Sequence, residues 1–160
     1  MAGEIIVYTD GSSRGNPGPG GYGAVLMAGK HRKELSEGFR KTTNNRMELL
    51  GVIVSLEALK KEKSNVTVYS DSKYVVDAVE KKWVFGWVKK NFKDKKNPDL
   101  WCRFLDIYKK HNVKLIWVKG HADNIYNERC DTLAVEAAMG SNLKADTGYE
   151  EANKTEDALF

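Results

Sequence analysis

The segment Ile5-Ile6-Val7-Tyr8-Thr9-Asp10-Gly11-Ser12 has the two-residue periodicity of a strand. Ile6, Tyr8 and Asp10 share one face while Ile5, Val7 and Thr9 share the other, so both faces stay largely apolar until Asp10. That pattern predicts a central strand that releases a carboxylate at its C-terminal end. A carboxylate beside apolar surroundings is costly without a positive partner, and Arg14 is the nearest cation in sequence, so a metal ion is a candidate partner. Ordinary turn formation by Asp-Gly-Ser is the competing explanation.

Working outward, Arg14-Gly-Asn-Pro-Gly-Pro-Gly-Gly21 reads as a rigid, glycine-dense connection, and its spacing matches neither a Walker loop nor a dinucleotide loop. Tyr22 to Met27 and Arg32 to Phe39 then read as a strand pair with a turn near Gly29-Lys30, giving three antiparallel strands in succession. A helix is predicted from about Asn45 to Lys61, with Leu49, Val52, Ile53, Leu56 and Leu59 on one face and Lys60-Lys61 at the C-terminal end, where the dipole favours cations. Glu48 falls on its inward face. The Asn45-to-Glu48 spacing equally suits a local capping box.

Asn65 to Ser70 is a second strand ending in an acid, Asp71. Two strands separated by a helix can pair in parallel, and would then carry Asp10 and Asp71 to the same end. Capping of a helix over Lys73 to Val79 by Asp71 or Ser72 is the alternative. Further on, Leu100 to Lys110 reads as helix and Val113 to Val118 as strand. A last helix is expected from Asn127, with Asp131 in its first turn and in line with Ala134, Val135 and Ala138. There the helix dipole could stabilise Asp131 without any metal.

The 160 residues, 41% of them apolar, fit one domain over 1–140, followed by a polar, acidic tail at 141–160 expected to be poorly ordered. No apolar run is long enough to span a bilayer, and Met-Ala-Gly-Glu lacks the layout of a secretory signal, so a cytoplasmic monomer without a membrane partner is expected. Cys102 and Cys130 have neither zinc-ligand spacing nor scaffold density and are read as reduced and structural. The formal net charge of +4 is concentrated. Lys81 to Lys96 holds seven lysines against Asp94, a local +6 that leaves −2 for the rest of the chain. With Trp83, Phe85, Trp87 and Phe92 interleaved, this protrusion at about 81–97, expected as a helix broken near Gly86, is a candidate nucleic-acid grip. A solvated helix whose aromatics belong to the core is the other reading.

Four acids, Asp10, Glu48, Asp71 and Asp131, are thus expected on faces that pack against one sheet. Converging carboxylates repel one another, and an oxygen-only ligand set selects Mg²⁺ or Mn²⁺ over zinc. Tyr8-Thr-Asp-Gly-Ser12, Gly15-Asn-Pro-Gly-Pro-Gly-Gly-Tyr-Gly23, Thr42-Thr-Asn-Asn-Arg-Met-Glu48, Ser70-Asp-Ser72, Trp117-Val-Lys-Gly-His-Ala122 and Asn127-Glu-Arg-Cys-Asp131 together closely resemble the bacterial type 1 ribonucleases H, in order, over about residues 4–140.

The resemblance implies an α/β, ribonuclease H-like mixed five-stranded sheet, three antiparallel then two parallel strands, with helices on both faces. It implies hydrolysis of the RNA strand of RNA–DNA hybrids. By it, Asp10, Glu48, Asp71 and Asp131 match the family's metal-binding acids and His121 its mobile histidine. Two Mg²⁺ ions, with Mn²⁺ as a possible substitute, would then promote cleavage to 5′-phosphate and 3′-hydroxyl ends. The same similarity places Asn16, Asn44 and Asn45 against the minor groove, and Lys41, Thr43 and Asn97 on a DNA phosphate. Tyr74 and Trp83 would line the DNA side, and Lys73, Trp87, Lys89 and Lys90 would add to the nucleic-acid surface. The chain departs from the family in Lys73, where relatives often carry glutamine, in Asp123 in place of a common glycine, and in a protrusion that looks shorter after Phe92. Two rivals remain, a noncatalytic hybrid-binding module and a metal nuclease of the same architecture acting on DNA.

Overall fold

A computed structural model describes residues 3–120 and 124–159 and places strand β1, Ile5–Ser13, at the centre of a five-stranded sheet. β2, Gly18–Ala28, and β3, His31–Thr42, extend it antiparallel on one side. β4, Asn65–Ser70, and β5, Asn112–Trp117, extend it in parallel on the other, giving the order β3-β2-β1-β4-β5. This is the expected mixed sheet. The glycine-dense connection is shorter than its composition suggests, because Gly18 to Gly21 already belong to β2 and pair with β3.

The crossover from β3 to β4 is α1, Asn44–Glu57, which lies on the sheet face formed by Val7, Val66 and Val68. The sequence places its start at Asn45 and its end at Lys61, but Thr43 is the cap, its hydroxyl accepting the Arg46 N–H at 3.3 Å. The helix stops at Glu57, one residue after Leu56, its last fully buried position. Lys60 and Lys61 therefore lie beyond it and do not meet its dipole. α2, Lys73–Glu80, is capped by Ser72, whose hydroxyl accepts the Val75 N–H, and not by Asp71. That leaves the Asp71 carboxylate free of a capping role.

α3, Trp83–Lys89, runs unbroken through Gly86. Fully buried Val84 and the packing of Phe85 against Tyr108 outweigh the roughly 1 kcal/mol that glycine costs a helix. α4, Pro98–Tyr108, packs on α1 through Trp101 and Phe104. On the opposite sheet face lies α5, Ile125–Ala138, capped by Asn124, whose side chain accepts the N–H groups of Tyr126 and Asn127. Its apolar layer is thin, with Val25, Cys130 and Leu133 as the buried members. Close approach replaces bulk here: a Cβ on Gly21, Gly23 or Gly38 would fall 2.5, 2.4 and 2.0 Å from backbone oxygens of α5. Burial pushes the Cys130 thiol pKa up to about 12, consistent with the structural role read from the sequence.

The tail differs most from expectation. The Lys144 backbone bonds to Gly38 and Arg40 of β3, and Thr147–Leu159 forms α6. Among the described side chains the attachment is chiefly ionic. Arg46 of α1 is 2% exposed, and its guanidinium is gripped by Asp146 at 2.7 and 2.8 Å and by Asp99 at 2.9 and 2.7 Å. Burial alone would pull the Arg46 pKa down, but the two carboxylates hold it above its ordinary value. Thr42 adds a hydrogen bond to Asp146 at 2.6 Å, so the tail supplies a counter-charge that the core requires. Hydrophobic patterning cannot register such a contact.

The α5 contact yields a prediction about packing. Gly38→Ala should destabilise the protein by about 1–3 kcal/mol in urea unfolding, because backbone must shift to admit the methyl group. Gly86→Ala, which meets nothing within 4 Å, should stabilise it by about 0.5–1 kcal/mol. Equal midpoints for the two variants would contradict the glycine-mediated docking of α5.

Candidate active site

Asp10 and Asp71 meet through register. Thr9 pairs with Ser70 across the parallel β1–β4 ladder, so the next residue on each strand is an aspartate. Glu48 joins them because α1 presses onto the end of β1: a Cβ at Gly11 would lie 2.4 Å from the Glu48 nitrogen. One carboxylate oxygen from each of Asp10, Glu48 and Asp71 lies within 4.8 Å of the others. Asp131 of α5 lines the same cavity, which is about 530 Å³, and contributes to the environment of the Asp10 carboxyl.

Both helical acids stand deeper in their helices than the sequence suggests. α1 begins at Asn44 and α5 at Ile125, so Glu48 and Asp131 lie beyond the first turns. The helix dipole acts mainly within the first turn, which removes the simplest non-metal explanation for these two acids. Asp10 accepts the Gly11 N–H at 2.9 Å, but Glu48 Oε2 and Asp71 Oδ1 are buried without a hydrogen-bond partner among the described residues. Burial, followed by the neighbouring Asp71 charge, raises the Asp10 pKa to about 7. Burial and then the charges of Asp10 and Asp71 push Glu48 well above the ordinary carboxyl range. Orphaned oxygens and mutual repulsion are what a divalent cation would relieve, and a hard all-oxygen donor set suits Mg²⁺ or Mn²⁺.

The other sequence-predicted residues fall into distinct groups. Asn44, Asn45, Lys73 and Tyr74 line the acid cavity itself, together with Ser12 and Ser13, which the sequence reading did not single out. Asn44 is held by the Ser13 N–H at 2.7 Å, and Asn16 accepts the Asn44 N–H at 3.2 Å. Lys73 lies over the Trp117 ring at 4.7 Å, and the indole N–H of Trp117 donates to the Asp71 carbonyl. A second cavity of about 550 Å³ gathers Asn16, Thr43, Asn45 and Asn97 beside Lys95 and Lys96. Lys41 is not in it and lines a separate cavity with Arg40 and α6.

In the basic protrusion the aromatics divide between core and surface. Phe92 is buried, Phe85 and Trp87 pack on the core, and Trp83 remains 49% exposed. Lys89 and Lys90 project outward, while Lys81, Lys82 and Lys95 lie over the rings of Trp83, Phe85 and Trp87. Asn97, in a left-handed conformation, donates to the Tyr74 hydroxyl at 3.0 Å and accepts from Arg46 at 3.2 Å. Arg46 thus positions a predicted substrate residue, and the sequence reading missed it. The available signal was a cation amid the inward-facing residues of a helix with no acid three or four positions away to pair with it. His121, and with it the Asp123 departure, lies outside the described residues.

Among the described residues no helix is long and apolar enough to cross a membrane. A family model described as RNase H matches residues 2–139. The chain is 56% identical over 151 residues to a ribonuclease H of Syntrophus aciditrophicus, covering 91% of this chain and 87% of that one. It is 58% identical over 148 residues to a ribonuclease H of Desulforamulus reducens, covering 89% and 92%. Among solved structures it is similar to LC9-RNase H1, a type 1 RNase H with the type 2 active-site motif, with a TM-score of 0.79, 34% identity and coverage of 96% of this chain and 82% of that one. It is also similar to LC11-RNase H1 in complex with an RNA/DNA hybrid, with a TM-score of 0.63, 28% identity and coverage of 84% and 96%. With its mixed sheet, its gathered carboxylates and these relatives, the chain belongs to the ribonuclease H family and is a nuclease that hydrolyses phosphodiesters.

Proposed function

We propose that this chain is an endonuclease that cuts the RNA strand of RNA–DNA hybrids by a two-metal-ion mechanism, leaving 5′-phosphate and 3′-hydroxyl ends. The observation that carries the reading is the trio of Asp10, Glu48 and Asp71, with ligand oxygens within 4.8 Å and two of those side chains holding buried oxygens without partners among the described residues. Asp10, Glu48, Asp71 and Asp131 would hold Mg²⁺, with Mn²⁺ as a substitute. Bound there, such ions supply Lewis acidity at the phosphodiester and lower the pKa of an attacking water. The raised pKa of Asp10 means that its carboxylate is only partly ionised near pH 7 in the ion-free protein.

Substrate selection rests on the residues around the acids. Asn16, Asn44 and Asn45 border the acid cavity or its neighbour and present amides to a minor groove, where 2′-hydroxyls distinguish RNA. Lys73 at the acid cavity would meet a backbone phosphate, and Lys41, Thr43 and Asn97 would hold the DNA strand. Tyr74, Trp83 and Trp87, with Lys89 and Lys90, extend that surface along the protrusion. His121 takes its proposed part, proton transfer or product release, from sequence resemblance alone. Of the rival readings, the noncatalytic module would leave the gathered acids without a purpose. The DNA nuclease would leave the amides without a 2′-hydroxyl to read.

With Mg²⁺ and labelled hybrid, duplex RNA and duplex DNA, cleavage is expected only in the RNA strand of the hybrid. Equal cutting of duplex DNA would refute the reading.

Asp10→Asn should abolish turnover and also change stability in a definite direction. A carboxyl whose folded pKa is raised binds more protons folded than unfolded, so the ion-free protein loses stability as pH rises from 3.8 towards 7. The variant escapes that loss, which is on the order of 4 kcal/mol when complete. Without divalent ions it should therefore melt above the wild type at pH 8, with the gap closing towards pH 4, and Mg²⁺ should raise only the wild-type melting temperature appreciably. Equal pH profiles would remove Asp10 from a shared charge cluster.

Replacing Lys89, Lys90, Lys93, Lys95 and Lys96 with alanine should weaken hybrid binding and flatten its salt dependence, since fewer counterions are released. An unchanged slope in a binding titration would dismiss the protrusion as a grip.

A further inference from the structure

Three residues proposed to hold the DNA strand do not share one cavity. Thr43 and Asn97 line the cavity of about 550 Å³, whereas Lys41 lines another of about 310 Å³. Tyr149 and Asn153 of α6 line both, so one edge of this helix forms the ridge between them. Beyond the ridge on one side stand the exposed Lys95 and Lys96, and on the other the exposed Lys41 and Lys154.

The ridge is fixed to the core at several points. Asp146 grips buried Arg46, Glu150 takes the Arg40 guanidinium at 3.0 and 2.9 Å, and the Lys144 backbone is bonded to β3. Gly148 is pressed so closely on the Arg46–Asp99 pair that a Cβ there would lie 1.9 Å from the Asp99 carboxylate. A side chain at that point would have to push the Asp99 carboxylate and the Arg46 guanidinium aside. The start of α6 is therefore held in place beside both cavities.

We propose that α6 is part of the binding channel for the uncut strand: its Tyr149–Asn153 edge carries backbone phosphates, with Lys154 pairing with one of them. This rests on the hybrid-cleavage reading and extends it to a segment that lies beyond the matched family region, which ends at residue 139. The chemistry is that of a polyanion crossing a weakly cationic ridge. In the smaller cavity Arg40, Lys41 and Lys154 face Glu150 and Glu151, a net charge of +1, and Glu150 is already engaged by Arg40. Lys154 thus attracts a phosphate and the exposed Glu151 opposes it. The two charges act in opposite senses on the same ligand.

The test uses Lys154→Glu, Glu151→Gln and the double variant Tyr149→Ala/Asn153→Ala in the full chain. Cleavage kinetics are read on a labelled hybrid with Mg²⁺. Binding of the same hybrid is read by anisotropy in an Asp10→Asn background. Lys154→Glu should raise KM and Kd roughly three- to tenfold and lower the salt slope by about one, with kcat unchanged. Glu151→Gln should lower both constants, and the double variant should raise them. These shifts should come without a matching change in melting temperature. Unaltered KM and Kd in all three variants would overturn the proposal, as would losses that follow the melting temperature or appear in kcat alone. Failure of the wild type to cut hybrids would count against the reading of the active site. The anisotropy shifts are independent of turnover and would still decide the role of α6.

Discussion

The parallel pairing of β1 with β4 is the constraint on which the rest depends. Parallel neighbours cannot be joined by a tight turn, so the chain must cross over, and the crossover here is α1. That single requirement brings three acids together. The ladder aligns Asp10 with Asp71, and the crossover helix lays Glu48 against the end of the first strand because Gly11 offers no side chain to hold it away. The site is therefore a consequence of topology at the C-terminal end of paired strands, where ligands are commonly bound in α/β sheets.

Two charge clusters sit on different sides of the start of α1, and their balance differs in sign and in kind. At Arg46 a buried cation is over-satisfied, with two carboxylates in direct contact and a further hydrogen bond to Asn97. At Glu48, two residues later, carboxyl groups crowd one another, and two of their oxygens have no partner among the described residues. The first cluster is a finished structural joint, whose removal from one side would strand a buried charge. The second is unfinished as protein alone. Side-chain positions two apart on a helix point in different directions, which is how one short stretch, Thr43 to Glu48, serves both clusters.

The same contrast explains how α5 and α6 are attached. α5 lies on the sheet by backbone contact over glycines, with little apolar side-chain volume between the layers, and this sets how near Asp131 comes to the other acids. α6 is attached by ion pairs and main-chain bonds to β3. Among the described side chains neither attachment shows a broad hydrophobic stripe, the pattern by which amphipathic helices are ordinarily recognised.

The sequence by itself determined the strand–helix order over 1–140, the central place of the strand through Ile5–Ser12, which acids were expected to converge, and the basic, aromatic protrusion. These follow from period-two and helical patterning and from motif spacing, which are local properties of the chain. Only the tertiary structure decided that the acids Glu48 and Asp131 lie beyond the first turns of their helices, that Gly86 does not break α3, and that Lys41 lines a different cavity from Thr43 and Asn97. Above all, it decided the fate of the last twenty residues. Their composition reads as a solvated tail, yet Asp146 is the counter-charge of an arginine one hundred positions earlier. Burying a guanidinium makes a demand on whatever carboxylate the fold can bring within reach, and that demand is non-local, so no window of sequence displays it.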